Sequence, residues 1–202
     1  SGDFVLRLAR SEADLRGAER LRYKVFVEEL GADGPLVDHE ARLERDRYDP
    51  DYDHLVLVDR QVSDASLDHV IGVYRLLPGA RAAGPETFYT STEYDLSVLT
   101  GSGRRLLELG RSCVHPDHRR GMALPLLWSG LAEYVLTRDI EILFGVASFH
   151  GTDMEALALP LTHLYRAHLA PLDLRVRTLE PAYQPMDLLP EGPLDRVAAM
   201  RA

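Results

Sequence analysis

The chain is short of cysteine, of positive charge and of long apolar runs, and each shortage removes a class of protein. A lone cysteine, Cys113, among 202 residues excludes an intramolecular disulfide and a cysteine-rich metal site. Its alternation with Val114 reads as a small buried apolar side chain rather than a nucleophile. Lys and Arg number 23 against 32 Asp and Glu, a formal net charge of -9. Gripping phosphate backbones needs a surplus of cations, so general nucleic-acid binding is excluded. No stretch approaches the ~18–20 apolar residues of a spanning helix. No basic segment followed by an apolar one opens the chain, and no repeat or low-complexity tract occurs. The expectation is one soluble, cytoplasmic α/β domain over residues 1–202, with a proline-rich tail from about 181 (Pro181, Pro185, Pro190, Pro193). A longer native N-terminus is left open.

What is present is a regular alternation of short apolar segments. "FVLRLA" (4–9) alternates like a strand, and Ser11 is placed to cap a helix running to about Leu30, with Leu15, Ala18, Leu21 and Val25 on one face. Gly31 and the pair Gly34-Pro35 stop it. The charged stretch to Asp53 reads as a long ordered loop or a short helix, the kind of segment that carries function. "HLVLVDR" (54–60) and "HVIGVYRLL" (69–77) read as an antiparallel pair, followed by a short helix near 91–99. "RRLLELGRSCV" (104–114) is the next strand, and Gly110 inside it predicts a bulge. Beyond Gly121 the spacing of Leu124, Leu127, Trp128, Leu131, Tyr134 and Val135 predicts a helix, with Pro125 in its first turn. "EILFGVASF" (141–149) predicts a mostly buried strand suited to a central, parallel position. A helix over 152–168 and a strand near 174–180 complete a mixed sheet flanked by helices on both sides.

The chemistry concentrates where strand 104–114 turns into the helix after Gly121. A helix start leaves backbone N–H groups unpaired and adds the positive end of the helix dipole, a combination that suits phosphate. "HRRGMA" sets Arg119 and Arg120 beside those donors and Gly121 where a backbone can approach an anion closely.

This turn resembles that of the GNAT-type N-acetyltransferase superfamily, whose pattern is Gln/Arg-x-x-Gly-x-Gly/Ala. In that register His118 stands first, Gly121 fourth and Ala123 last, His118 being a departure. Further motifs, "LRYKVFVEELG" (21–31), "ERDRYD" (44–49), "GVYRLLP" (72–78) and "ELGRSCVHP" (108–116), follow the order and approximate spacing of acyl-homoserine lactone synthases. They are still more similar to the ornithine N-acyltransferases that make lyso-ornithine lipid, a likeness that "FGVASFHGT" (144–152) strengthens. The lactone synthases carry Trp directly after the glycine ending the first helix. This chain has Ala32 there, so a stacking partner for an adenosyl group is missing.

The resemblance implies a GNAT-like mixed central sheet with helices on both faces and a bulged, splayed strand at the active site. It implies Glu108 and Arg111 as catalytic residues, and Arg22, Phe26, Asp46, Asp49 and Arg75 as substrate-binding residues. The donor phosphate falls to His118, Arg119, Arg120, Gly121 and Ala123. Transfer of a (3-hydroxy)acyl chain from the 4'-phosphopantetheine thioester of acyl carrier protein to the α-amine of ornithine is the implied reaction, with acyl-CoA the alternative donor. No cofactor is held permanently. An α-amine titrates near ~8, so a base must take its proton, and Glu108 is expected to do so, with a bulge N–H near 110–113 facing the oxyanion. Asp46 and Asp49 would meet the acceptor's ammonium groups, and Arg22 or Arg111 its carboxylate. Arg104, Arg105, Arg119 and Arg120 are expected to cluster where acidic carrier protein docks. Peripheral association with the inner membrane is a further expectation. Competing readings are a lactone synthase, an acetyl-CoA-dependent acetyltransferase, and an inactive carrier-binding domain. His115, His118 and His150 lie near the expected cleft, but no histidine pair has a metal-ligand spacing.

Overall fold

The computed structural model describes residues 3–149 and 151–200; His150 lies outside them. In chain order the elements are β1 (Phe4–Leu8), α1 (Glu12–Arg22), β2 (Asp53–Asp59), β3 (Val70–Pro78), β4 (Tyr94–Asp95), α2 (Ser97–Thr100), β5 (Leu106–Val114), α3 (Ala123–Thr137), β6 (Ile142–Phe144), α4 (Met154–His168), β7 (Arg177–Thr178) and α5 (Arg196–Ala199). They fall into two compact units: residues 1–89 with 104–146, and residues 90–103 with 147–202.

The first unit is a five-stranded sheet in the order β1-β2-β3-β5-β6, antiparallel except for the parallel pair β5 and β6. Side chains alternate across it as strand geometry requires. Val56, Val58, Val70, Val73 and Cys113 pack on one face against Ala18 and Leu21 of α1 and Val25 beyond it. On the opposite face Leu55, Leu57, Ile71, Leu76 and Leu107 receive Leu127, Leu131 and Tyr134 of α3. Each fully buried Val or Leu contributes about 1.5–3 kcal/mol, so these two layers fix the sheet between its helices. The mixed sheet with helices on both faces is the expected architecture.

Ser11 caps α1 by accepting the N–H of Asp14 at 3.1 Å. The helix continues without a break into a π-helical stretch, Tyr23–Glu29, which ends at Gly31 with φ +71°. There the N–H of Leu30 reaches the carbonyl of Val25, a five-residue step. Leu15, expected on the buried face, is exposed. So are Leu124 and Trp128 of α3, because they share a stripe with Ala132 and Leu136 that faces away from the sheet. Residues 35–53 hold a bridge between Asp38 and Leu43 and a short 3₁₀ turn at Asp49–Asp51 rather than a helix. Strand 141–149 is corrected most. β6 keeps only three residues, lies at the sheet edge and is partly exposed. The backbone of Gly145 sits so close to the carbonyl of Leu109 that no side chain fits between them.

In the second unit β4 and β7 form their own two-stranded antiparallel sheet, so the strand near 174–180 does not join the main one. Asp153 caps α4 through the N–H groups of Glu155 and Ala156. The proline-rich tail is tied to this helix: Arg166 binds Asp187 (Nε–Oδ1 2.8 Å) and the carbonyls of Leu189 and Pro190, while Thr162 accepts the N–H of Leu188. The short helix near 91–99 reduces to 3₁₀ turns and the four residues of α2.

Candidate active site

Three arginines converge on the α1 face of the sheet with three carboxylates. Arg22, wholly buried, gives Nε to Glu44 (2.5 Å) and a fork to Asp49 (Nη1–Oδ1 2.5 Å, Nη2–Oδ2 3.2 Å). Arg75, equally buried, reaches Asp46 (2.6 Å) and Asp49 (2.9 Å) through Nη1. Arg111 closes the ring with longer contacts, Nη2 to Asp46 at 3.2 Å and Nε to Glu44 at 3.3 Å. Three guanidinium groups thus face three carboxylates, which is what makes so many charges tolerable away from water. Burial by itself would raise the Asp49 carboxyl, but Arg22 and then Arg75 hold it well below the usual range. His54 beneath them donates its Nε2–H to the Asp49 carbonyl (3.2 Å), and burial pushes its imidazole toward the neutral form.

Arg111 is the odd member. Between the pairs Val73–Cys113 and Arg75–Gly110, β5 advances three residues while β3 advances two. This is the bulge, and Arg111 takes its strained conformation, with φ +48°. Regular alternation would turn Arg111 to the α3 face, opposite Glu108. The bulge brings it instead to the side of Glu108 and Arg75, where its guanidinium lies 5.7 Å from the ring of Phe26 and 5.2 Å from that of Tyr89. About a quarter of its side chain is exposed, against essentially none for Arg22 and Arg75.

Glu108 is buried on β5, paired across the ladder with Leu77 and Phe144. The Tyr52 hydroxyl donates to its Oε2, and the Tyr89 N–H stands 3.1 Å from both that oxygen and the Tyr52 hydroxyl. Burial, reinforced by the neighbouring Glu108, pushes the Tyr52 phenol well above its ordinary range.

At the far end of β5 a 3₁₀ turn, Pro116–His118, leads into α3, which has no side-chain cap, so its first-turn N–H groups remain available to an anion. Arg119 and Arg120 are exposed beside it, and Arg119 is forked onto Glu29 (2.6 and 2.5 Å). His118 is half-buried, edge-on to Phe4 and His115, and Lys24 lies 2.8 Å from the His115 ring. Among the described residues no three His, Cys, Asp or Glu side chains are grouped to hold a metal ion. Burial pushes the Cys113 thiol up to about 12, as befits a core residue.

Residues 21–129 match the family model described as the acetyltransferase (GNAT) domain. The L-ornithine N(alpha)-acyltransferase of Rhodobacter capsulatus is 58% identical over 199 residues, 98% of this chain and 76% of that protein. That of Brucella abortus is 38% identical over 201 residues, 98% of this chain and 72% of that protein. The chain belongs to the L-ornithine N(alpha)-acyltransferase family. A solved structure of the acyl-homoserine lactone synthase LasI shares the fold, with a TM-score of 0.53 at 21% identity over 73% of this chain and 74% of that one.

For this acyltransferase the structure draws together Arg22, Phe26, Asp46, Asp49, Arg75 and Arg111 at the ion-pair ring, and sets Glu108, the seventh, on the same face of the sheet. It does not draw together the four arginines expected to form one docking patch. Arg104 and Arg105 precede β5, while Arg119 and Arg120 follow it, and a nine-residue strand separates them by roughly 26–30 Å. Arg105 is moreover engaged with Glu141 and the Asp139 carbonyl. Glu44, Tyr52 and Tyr89 belong to the site and escaped the sequence reading. A signal for Glu44 was present: three arginines buried together demand a third carboxylate, and "ERDRYD" supplies it.

Proposed function

We propose that this chain transfers a (3-hydroxy)acyl group from acyl carrier protein to the α-amine of L-ornithine, giving lyso-ornithine lipid. The observation that carries the reading is 58% identity, over 98% of the chain, to a protein named L-ornithine N(alpha)-acyltransferase. The geometry supplies parts suited to that chemistry. The acceptor brings two ammonium groups and a carboxylate. Asp46 and Arg111 are the members of the ion-pair ring with appreciable exposure, so they meet it, while Arg22, Arg75 and Asp49 hold the ring together. Phe26 braces Arg111. Glu108 receives the amine's proton, a contribution on the order of 10² to 10⁴ in rate, and a bulge N–H near 110–113 faces the developing oxyanion.

The uncapped start of α3, with Gly121, Ala123, Arg119, Arg120 and the half-buried His118, receives the phosphate of the donor. Acyl carrier protein is the donor this reading favours over acyl-CoA. Each buried CH₂ of the acyl chain contributes about 0.8 kcal/mol, so a long chain outweighs most polar contacts in setting preference. No described helix is long and apolar enough to cross a membrane; the chain acts in the cytoplasm and meets the inner membrane surface only to release its lipid product.

Mass spectrometry of lipid extracts from cells expressing the chain tests the reading. N-acyl ornithine is expected with the wild type and is lost with Glu108→Gln. In vitro, ornithine with acyl carrier protein thioester should turn over faster than with the matching acyl-CoA, and the rate should fall as salt rises beyond about 0.1 M. An extract without N-acyl ornithine sinks the proposal, and a salt-independent rate equal for both donors removes the carrier protein from it.

A further inference from the structure

We propose that Tyr52 is a proton relay standing between the acceptor amine and Glu108. The inference rests on the reading of Glu108 as the base. Glu108 has 1% of its surface exposed and Tyr52 5%, so an amine meets this pair only from within the site. The Tyr52 hydroxyl donates to Glu108 Oε2. The Tyr89 N–H, 3.1 Å from both oxygens, clamps the pair and leaves the phenol facing the carboxylate. The ring of Tyr52 lies under the Arg75 guanidinium at 4.6 Å, and Arg75 is bonded to Asp46 and Asp49. Tyr52 therefore bridges the ion-pair ring, where the acceptor is expected, and the buried base.

Its position is enforced by the chain. Tyr52 ends the 3₁₀ turn Asp49–Asp51 that also sets Asp49, and Asp53 begins β2 at once. A phenol held protonated by its surroundings gives up its hydrogen only as it gains another, so the transfer is concerted and no free phenolate is needed. The ammonium first loses one proton to solvent. As the amine's lone pair forms the C–N bond, an N–H bond breaks toward the Tyr52 oxygen while the Tyr52 O–H proton passes to Glu108 Oε2. The carbonyl π electrons move to the oxyanion. When the C–S bond breaks, the electron pair leaves with sulfur, and the proton returns from Glu108 through the same hydroxyl to give the carrier thiol.

The test compares Tyr52→Phe, Glu108→Gln and the double variant, with acyl carrier protein thioester and ornithine as substrates. Tyr52→Phe should lower kcat about 10²-fold with either KM within a few-fold, and the double variant should be no slower than the slower single, as for groups acting as one unit. Rates in H₂O/D₂O mixtures should curve with deuterium fraction in the wild type, reporting two protons in flight, and become linear in Tyr52→Phe. Three results overturn the relay: Tyr52→Phe near the wild-type rate while Glu108→Gln is inactive, effects that multiply in the double variant, or a loss confined to KM and thermal stability. Wild-type activity in Glu108→Gln would instead overturn the assignment of the base. Should Tyr52→Phe fail to fold, a fluorinated tyrosine at position 52 keeps the shape while acidifying the phenol. The value of kcat and its solvent isotope effect should then change with the number of fluorines, and values unchanged across the series overturn the relay.

Discussion

Arg22 and Asp49, 27 positions apart, meet edge to edge through two N–H···O bonds. One partner lies on the first helix and the other in the 3₁₀ turn before β2, so this fork pins the long charged loop onto α1. It also decides which residues of the site are free to handle substrate. Asp49 is committed to Arg22 and Arg75, leaving Asp46 and Arg111 as the adjustable pair.

Breaking that fork should cost stability before it costs chemistry. Arg22→Met leaves Glu44 and Asp49 buried with one cation fewer, and removing one partner of a buried pair costs about 3–5 kcal/mol. Urea denaturation should show a much lower midpoint for Arg22→Met, and a smaller loss for Asp46→Asn, whose side chain is partly solvated. Equal losses would mean the ring is not anchored through Arg22.

Asp46→Asn should act on the acceptor instead. A charge-assisted hydrogen bond is worth about 1.5–3 kcal/mol, so the KM for ornithine should rise roughly 10- to 100-fold while the KM for the acyl donor changes little. Steady-state kinetics with each substrate varied in turn makes the comparison; equal effects on both would argue that Asp46 does not meet the acceptor.

Two carboxylates give stability opposite pH slopes. Burial alone would raise Asp14, but Arg7, the Arg10 N–H and His69 bring it down to about 2. The unfolded chain binds this proton more readily than the fold, so the stabilisation is complete above about pH 4 and fades as pH falls toward 2. Glu19 is the reverse: burial lifts it to about 7, against an ordinary value of 4.5, although Arg45 opposes the shift. The fold keeps a proton that the unfolded chain releases, so stability declines as pH rises from about 4.5 to 7. Glu19→Gln should flatten that decline and raise the urea midpoint at pH 8, while Asp14→Asn should flatten the acid side.

Two glycines beside the site should respond differently to an added methyl group. At Gly145 it would overlap the Leu109 carbonyl oxygen, an immovable backbone atom, so Gly145→Ala should lower stability by about 1–3 kcal/mol and disturb the β5–β6 parting. At Gly110 the nearest atom is Arg75 Nε at 4.0 Å, and φ is not positive, so Gly110→Ala should fold with an unchanged midpoint. A collapse of Gly110→Ala would mean that the glycine, rather than Arg111, carries the bulge.

Periodicity alone specified β1, the antiparallel pair β2–β3, the bulged β5 and the cores of α1 and α3, because burial of alternate or helically spaced apolar residues leaves few other arrangements. The charged residues of "ERDRYD", together with Arg22, Arg75, Glu108 and Arg111, marked the site through their order along the chain. Which of them pair, and which keep a free edge, depended on contacts between residues 22 to 65 positions apart. Glu108 and Arg111 are three apart, and a regular strand would send them to opposite faces; only the extra residue in the ladder against β3, with Arg111 at positive φ, sets them on the same one. Glycine was the residue that pattern pointed to for the bulge, yet the neighbouring arginine adopts it, held there by Glu44, Asp46 and two aromatic rings. The same holds for Tyr52, whose hydroxyl reaches Glu108 across 56 positions of sequence. Local pattern reports which side chains seek burial, whereas partners for buried charge are chosen by whatever the folded sheet brings within hydrogen-bonding distance.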